Sequence, residues 1–204
     1  MQKDCVTAVE KRKRGYRIVV NEDESFHMSY ALFREKTLRE GEFFSYEEFQ
    51  TWLLPKQKQE ALHLAVAMLH MRDHSEGEIR QKLKPYYPSD VIRYVVTKLH
   101  KEHWLNDEQF ALRFMKARLQ KQQGRAKIIY ELRQRGVAED VIQQAVDSLT
   151  EDSGAQAAID CAKKLMKRYA KEEAYKQKQK VLASMARRGY SFQEASQAMN
   201  KAME

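Results

Sequence analysis

Lysine and arginine side chains are concentrated in one stretch of this 204-residue chain, where their chemistry is the attraction of anions. Between Arg113 and Arg135 eight basic residues are opposed by one acidic residue, Glu131. A field of one sign suits phosphate groups or an acidic protein surface, although most charge runs are solvated helix faces. We predict that a first basic set contacts such a partner. It comprises Arg113, Lys116, Arg118, Lys121, Arg125, Lys127, Arg133 and Arg135.

A second basic set lies nearer the end of the chain. Acidic residues are more frequent there, so contact with an anionic partner and a solvated helix face are equally open interpretations. This set comprises Lys163, Lys164, Lys167, Arg168, Arg187 and Arg188.

Two tyrosines near these basic residues carry a second kind of chemistry. Tyr130 and Tyr190 could stack on nucleic acid bases, which is worth about 1 to 3 kcal/mol per base. A tyrosine beside an apolar helical stripe is more often a core residue with its hydroxyl at the surface. We therefore favour core packing for both.

Histidines occur in two pairs whose spacing suits a shared helix face, as in zinc sites. The pairs are His70 with His74 and His100 with His103. Neither pair has a nearby cysteine, and histidine near the end of a helix also suits the helix dipole. We predict no metal site and no cofactor.

Catalytic motifs are absent from the sequence. It contains no G-x-x-x-x-G-K-[ST], G-x-S-x-G or H-E-x-x-H pattern. The acidic pairs Asp107-Glu108 and Glu139-Asp140 are better explained as helix starts. We therefore predict a protein that is not an enzyme.

The formal net charge is +8 and lies entirely in the second half of the chain. Basic and acidic residues cancel over residues 1–108, but residues 109–150 hold eight basic against four acidic, and residues 151–204 hold eleven against seven. No apolar run approaches the roughly 18 residues of a membrane span, and no signal peptide is evident, so we expect a cytoplasmic protein. Cys5 and Cys161 lack C-x-x-C spacing and are expected to be reduced thiols.

One short sequence motif recurs along the chain and indicates its architecture. Leu132–Val137 returns 53 residues later as Met185–Tyr190, with basic residues before a glycine, and a weaker copy at Leu83–Tyr87 has proline instead. Such repetition is typical of stacked supersecondary units. We predict a mostly α fold, an elongated array of three tandem three-helix repeats after a small α+β extension. The predicted bounds are 1–56 for the extension, then 57–106, 107–150 and 151–204 for the repeats.

In the N-terminal extension, apolar residues recur with a period of two residues. Apolar residues alternate over Tyr16–Val20 and Phe26–Met28, which predicts a β-hairpin that must pack on other elements. Ser29 is expected to cap a short helix through Lys36.

Capping boxes mark two later helix starts. Ser45 with Glu48 predicts a helix over residues 46–54 that Pro55 ends. Ser75 with Glu78 predicts another helix in repeat 1.

Further breaks divide the helical pattern. Ser89 is expected to cap the third helix of repeat 1, and Asn106 or the next residue to start repeat 2. Gly124 is expected to end that helix, and Gly136 to close the next one in a left-handed conformation. Residues 169–180 lack an apolar stripe, and we expect them to form either a helix extension or a loose connection.

Three motifs, in order, resemble signatures of the RecX family. Arg72–Leu83 places an arginine before a Ser-Glu-x-Glu run that ends in Lys-Leu, and Trp104–Ala111 has the pattern aromatic-Leu-Asn-Asp-x-x-Phe-Ala. Gly124–Val137 combines Gly-x-x-Lys-Ile with Glu-Leu-x-x-Arg-Gly-Val. The resemblance covers residues 57–204. One departure is Pro85-Tyr86-Tyr87, where the family usually has a basic residue and glycine, and it leaves the shape of that turn open. The other is Asn106, where aspartate is commoner.

This resemblance implies a regulator, mainly an inhibitor, of the bacterial recombinase RecA. The resemblance implies that the three repeats form a curved array. It also implies that the protein lies along the groove of the RecA filament on single-stranded DNA and suppresses ATP hydrolysis and strand exchange. The implied setting is homologous recombination, DNA repair and the SOS response, with weak direct DNA binding by a monomer. Whether the basic residues contact DNA or recombinase, and whether filaments are capped or disassembled, stay open.

The alternative is a stand-alone DNA-binding protein that uses the helices around Gly136 as a helix-turn-helix. Its second helix would begin with Ala138-Glu139-Asp140, acidic where a recognition helix meets phosphates and base edges. This charge disfavours the alternative.

Overall fold

The strands lie in the N-terminal part of the chain, with one short helix between the third and fourth, and the remaining helices follow. The structure, a computed structural model, describes residues 3–149 and 151–203. Its contacts divide the chain into Met1–Leu105 (unit 1) and Asn106–Glu204 (unit 2). Within the described residues, no helix is both long and apolar enough to cross a membrane.

Four strands in the described part of unit 1 form an antiparallel sheet in the order β3-β2-β1-β4. They are β1 (Asp4–Arg12), β2 (Gly15–Val20), β3 (Glu24–Ser29) and β4 (Phe43–Phe44). The predicted hairpin is confirmed as β2 and β3, in which Tyr16 pairs with Met28. The sequence pattern does not predict β1 or β4, because β1 has an irregular register between Val6 and Ala8 and β4 has only two residues.

The turn between β1 and β2 is tight and is fixed on both sides. Lys13–Arg14 form it, and Gly15 follows with φ +147°. A Cβ on Gly15 would lie 1.9 Å from the main-chain oxygen of Met28, so only glycine fits there. On the other side the Tyr30 hydroxyl donates to the main-chain oxygen of Arg12 at 2.7 Å.

Helix α1 (Tyr30–Glu35) follows β3 directly, and Ser29 caps it as predicted. The Ser29 hydroxyl also donates to the Glu60 carboxylate at 2.6 Å. The buried amide of Gln57 donates to the main-chain oxygen of His27 at 2.8 Å. These bonds join β3 to the next helix.

A single helix, α2 (Tyr46–Met71), continues through Pro55, so the predicted end of this helix is wrong. A proline inside a helix removes one hydrogen bond and costs about 3 kcal/mol. Burial on both sides of the proline outweighs this cost, because Leu53 packs against the sheet and Ala61 packs in repeat 1. The predicted boundary between residues 56 and 57 lies within this helix.

Repeat 1 continues with α3 (Glu76–Leu83) and α4 (Ser89–Lys101). The capping box of Ser75 and Glu78 is confirmed, with the Glu78 amide 3.1 Å from the Ser75 hydroxyl. The predicted Ser89 cap is wrong, because Pro88 occupies the N-cap position and no side chain caps α4. The core of the repeat comprises Ala61, Ala65, Ile79, Leu83, Val91, Ile92, Val95, Val96, Leu99 and Leu105.

The proline turn after α3 differs from the glycine turns of the later repeats. The amides of Tyr86 and Tyr87 both donate to the main-chain oxygen of Leu83, at 2.9 and 3.1 Å. No residue of this turn has a positive φ, whereas Gly136 adopts φ +70° as predicted. Repeat 1 therefore closes its helix pair without a left-handed residue.

The Glu78 carboxylate makes the stability of repeat 1 depend on pH. Burial raises the pKa of this carboxyl, but hydrogen bonds from Arg72 and the Ser75 amide outweigh burial, so the pKa is below its ordinary value. The stabilising effect is therefore complete above the ordinary pKa and is lost as the pH falls through the lower folded-state value. Glu78→Gln should lower the free energy of unfolding by about 1 kcal/mol at neutral pH, and the loss should shrink as the pH falls below the ordinary pKa of a glutamate. Urea unfolding over a series of pH values measures this, and a loss that does not change with pH would contradict it.

Unit 2 contains the helices of repeats 2 and 3. Asn106 caps the first of them as predicted, with its side-chain oxygen 2.8 Å from the Gln109 amide. Residues 169–180 divide into a turn and the start of a helix. The described helices are α5 (Asp107–Gln120), α6 (Arg125–Gln134), α7 (Glu139–Asp147), α8 (Glu151–Arg168), α9 (Ala174–Arg187) and α10 (Phe192–Met203).

Gly124 does not end α5 as predicted; it is the N-cap residue of α6. Its amide donates to the main-chain oxygen of Arg188 at 2.8 Å. A Cβ on Gly124 would lie 2.2 Å from the main-chain oxygen of Gly189. The glycine is therefore needed where the backbones of repeats 2 and 3 meet.

Candidate anion-binding surface

Helices α5 and α6 and their connecting loop carry the first basic set. Four of its members have no carboxylate partner in the part of the chain that the structure describes. Lys116 and Lys121 are exposed, and Arg125 and Lys127 are partly buried. These four unpaired cations are the groups of repeat 2 whose charge is available to an anionic partner.

Two other arginines of the set pack within repeat 2. The guanidinium carbons of Arg118 and Arg135 lie 4.7 and 4.4 Å from the ring centre of Phe114. Arg118 pairs with the Glu131 carboxylate at 2.9 Å, and Arg135 donates to the main-chain oxygen of Glu131 at 2.8 Å. These contacts place both arginines in the packing of the repeat.

Arg133 makes an ion pair with the start of α7. Its Nε donates to Glu139 Oε2 at 2.8 Å, and this bond lowers the pKa of the Glu139 carboxyl. Asp140 adds a second exposed carboxylate to the first turn of α7. This acidic end would repel DNA phosphates, so the structure, like the sequence, disfavours the helix-turn-helix alternative.

Arg125 and Lys127 begin α6 and lie against residues of repeat 3. The Arg125 Nε would be 3.3 Å from a Cβ on Gly154, and Arg125 lines an open cleft of about 360 Å³. A Cβ on Gly189 would lie 2.4 Å from the Lys127 Cβ. Arg125 therefore packs on repeat 3 through its guanidinium group, and Lys127 packs there through its Cβ.

The second basic set is divided between an exposed row and a turn. Lys163, Lys164, Lys167 and Arg168 are exposed along α8. Arg187 donates to the Ser184 hydroxyl at 3.1 Å, and Arg188 is partly buried. Partner contact through this set stays a prediction.

The two tyrosines have different surroundings. Tyr190 is 6% exposed in the core of repeat 3, where burial raises the pKa of its hydroxyl. Core packing is therefore confirmed for Tyr190. It is wrong for Tyr130, which is 60% exposed on α6 and presents an aromatic face.

Neither histidine pair shares a helix face. His70 lies on α2, whereas His74 follows the end of that helix, with Nδ1 2.9 Å from a main-chain oxygen. His100 lies 2.7 Å from Glu76 Oε2, and His103 lies beyond α4 with φ +56°. Among the described residues no group of three or more histidine, cysteine or acidic residues could hold a metal ion.

A third basic cluster, Lys11–Arg14 at the β1–β2 turn, is one that the sequence reasoning missed. It lies beside the proline turn of repeat 1, with the Arg14 guanidinium carbon 5.4 Å from the ring centre of Tyr86. Four consecutive basic residues are its signal in the sequence. Net charge summed over residues 1–56 conceals the cluster, because acidic residues elsewhere in the extension cancel it.

The fold defines a mostly helical repeat protein with a small antiparallel sheet at its N-terminus, as predicted. Models of three RecX domains match it in order: the first three-helix domain at residues 61–99, the second at 106–146 and the third at 151–199. The chain belongs to the RecX family.

Relatives and solved structures agree with this assignment. The chain is 24% identical over 205 residues to "Regulatory protein RecX" of Streptococcus pneumoniae strain Hungary19A-6, covering 96% of this chain and 76% of the relative. The protein of that name from strain G54 of serotype 19F is also 24% identical. The "Crystal structure of regulatory protein RecX" has a TM-score of 0.65 at 21% identity and covers 97% of this chain and 99% of that one. RecX from Lactobacillus salivarius has a TM-score of 0.66 at 18% identity, over 73% of this chain and 98% of that one.

Proposed function

We propose that this protein is a non-enzymatic regulator, mainly an inhibitor, of the bacterial recombinase RecA. It lies along the groove of the RecA filament on single-stranded DNA and suppresses ATP hydrolysis and strand exchange. It acts as a monomer in the cytoplasm, where the recombinase meets DNA, and so takes part in recombination, repair and the SOS response. Membership of the RecX family and the regulatory name of the relatives support this proposal.

The observation that carries the proposal is the group of four cations on α5, α6 and their connecting loop that have no carboxylate partner among the described residues. A filament presents repeated anionic groups, DNA phosphates or acidic recombinase side chains, to any protein in its groove. Lys116 and Lys121 have no carboxylate partner among the described residues, so binding need not break an internal ion pair at these positions. Several weak contacts along one filament add through effective concentration, so no single residue has to dominate.

Inhibition of ATP turnover tests the proposal directly. The protein is added to RecA on single-stranded DNA, and the rate of phosphate release is followed. We expect the rate to fall with increasing protein, and addition before or after filament assembly separates blocked growth from disassembly. An unchanged rate at several-fold excess over RecA would overturn the proposal.

A further inference from the structure

Two open clefts in unit 1 meet at the proline turn of repeat 1. The first has a volume of about 670 Å³ and the second about 780 Å³. Lys13, Pro85 and Tyr86 line both clefts, so the two form one surface, the Tyr86 groove, across the tip of the β1–β2 hairpin. Each volume is in the range of about 300 to 1,000 Å³ that is typical of ligand sites.

The lining of the Tyr86 groove is strongly basic. Arg12 and Arg17 have a neighbouring carboxylate in Glu10, and Arg17 Nη1 is 3.6 Å from it. Lys13, Arg14, Lys82 and Lys84 line the groove without a carboxylate partner among the residues that the structure describes. In the described chain Asp90 is the one carboxylate that lines either cleft. The groove therefore attracts anions although unit 1 as a whole is nearly neutral.

Aromatic side chains lie among these cations. Tyr86 is partly exposed, its ring centre lies 5.1 Å from that of His27, and the Arg14 guanidinium lies over its face. Phe26 and Tyr46 line the first cleft. His27 also lines this cleft, and its buried Nε2 atom has no hydrogen-bond partner among the described atoms.

The combination of cations and aromatic side chains favours one class of anionic partner over the others. An acidic peptide would use the cations but not the aromatic faces. A single nucleic-acid strand uses both, because its phosphates follow a basic groove and its unstacked bases lie on aromatic or guanidinium planes. A duplex keeps its bases stacked, so it offers phosphates and base edges but no free base faces.

We propose that the Tyr86 groove binds single-stranded DNA, with Lys13, Arg14, Lys82 and Lys84 on the phosphates and a base stacked at Tyr86 and Arg14. The rigid hairpin tip positions two of these cations, since Gly15 and the Tyr30 hydroxyl fix the turn. This site belongs to unit 1, whereas the filament contacts proposed above belong to unit 2, and its binding requires no recombinase.

Charge reversal in the full-length chain tests the phosphate contacts. Binding of an oligothymidylate of about 16 nucleotides is followed by fluorescence anisotropy. Lys13→Glu with Arg14→Glu should weaken binding about tenfold, and the slope of log K against log salt should become shallower by about 1.4, since each phosphate contact on a single strand contributes about 0.7. Arg39→Glu with Arg93→Glu is the matched control, because both side chains are exposed and line neither cleft. Equal losses in the two double variants would overturn the proposal.

Replacement of Tyr86 tests the stacked base. Tyr86→Ala should weaken oligothymidylate binding by about 5- to 150-fold and leave binding of an abasic strand of equal length unchanged. Tyr86→Phe should bind like the wild type, and thermal melting shows whether each variant is folded. A loss that is the same on both strands would exclude stacking and overturn this contact.

An acidic peptide of equal charge completes the test. Tight binding of polyglutamate that Lys13→Glu with Arg14→Glu abolishes would show a protein-docking site instead. Because RecA is absent from all these measurements, their outcome is independent of the ATP-turnover experiment.

Discussion

Reversing the charge of Lys116 and Lys121 together should raise the concentration of protein that half-inhibits RecA ATP turnover by roughly tenfold to hundredfold. Each exposed ion pair is worth up to about 1 kcal/mol, and a reversed charge adds repulsion of similar size. Both side chains are exposed on α5 or just after it and have no carboxylate partner in the described chain, so their replacement should not unfold the repeat. The difference from wild type should shrink as salt is raised, because exposed charges are screened.

The control for this variant is Lys171→Glu with Lys178→Glu. Both residues are exposed in repeat 3, belong to neither basic set and have no carboxylate partner in the described part of the chain. The net charge therefore changes equally in both double variants. If the control loses as much inhibition, long-range attraction governs binding and the assignment of the surface to α5 and α6 is wrong.

The sequence predicted where the basic residues are but not which of them are available. The excess of positive charge between Arg113 and Arg135 is evident from the amino-acid sequence alone. The packing of α5 against α6 decides which cations are occupied. It places Arg118 and Arg135 on the ring of Phe114 and pairs Arg118 with the Glu131 carboxylate. Pairing across helices has no fixed spacing in sequence, so this sorting needs coordinates.

The fold was predictable at most positions where a local signal decided the structure, although the local signal at Ser89 was misleading. The capping box at Ser75 and the left-handed turn at Gly136 depend on neighbouring residues and are confirmed. The helix through Pro55 was mispredicted because tertiary packing of the residues on either side of the proline outweighs a local penalty. Gly124 was misassigned for a similar reason: its role is to admit the backbone of another repeat, 65 residues away at Gly189, and not to end its own helix.

Gly124→Ala should lower the free energy of unfolding of unit 2 by about 3 kcal/mol. The backbone at Gly124 has φ −76° and ψ 155°, which alanine adopts without strain. The methyl group, however, would lie 2.2 Å from the main-chain oxygen of Gly189 and 2.5 Å from the Tyr190 amide nitrogen. These are backbone atoms that cannot rotate away, and overpacking of this kind costs about 1 to 3 kcal/mol or more. Loss of glycine from an N-cap position adds to the cost.

Gly41→Ala separates this steric effect from backbone strain. Gly41 has φ +80° and open space where a Cβ would lie, so alanine there meets only a conformational penalty of about 1 kcal/mol. Urea unfolding of both variants compares the two costs, and a loss at Gly124 no larger than that at Gly41 would contradict the close contact of repeats 2 and 3. The same contact positions Arg125 and Lys127 on α6, because Lys127 packs against Gly189. Gly124→Ala should therefore also weaken inhibition of RecA under conditions where the variant remains folded.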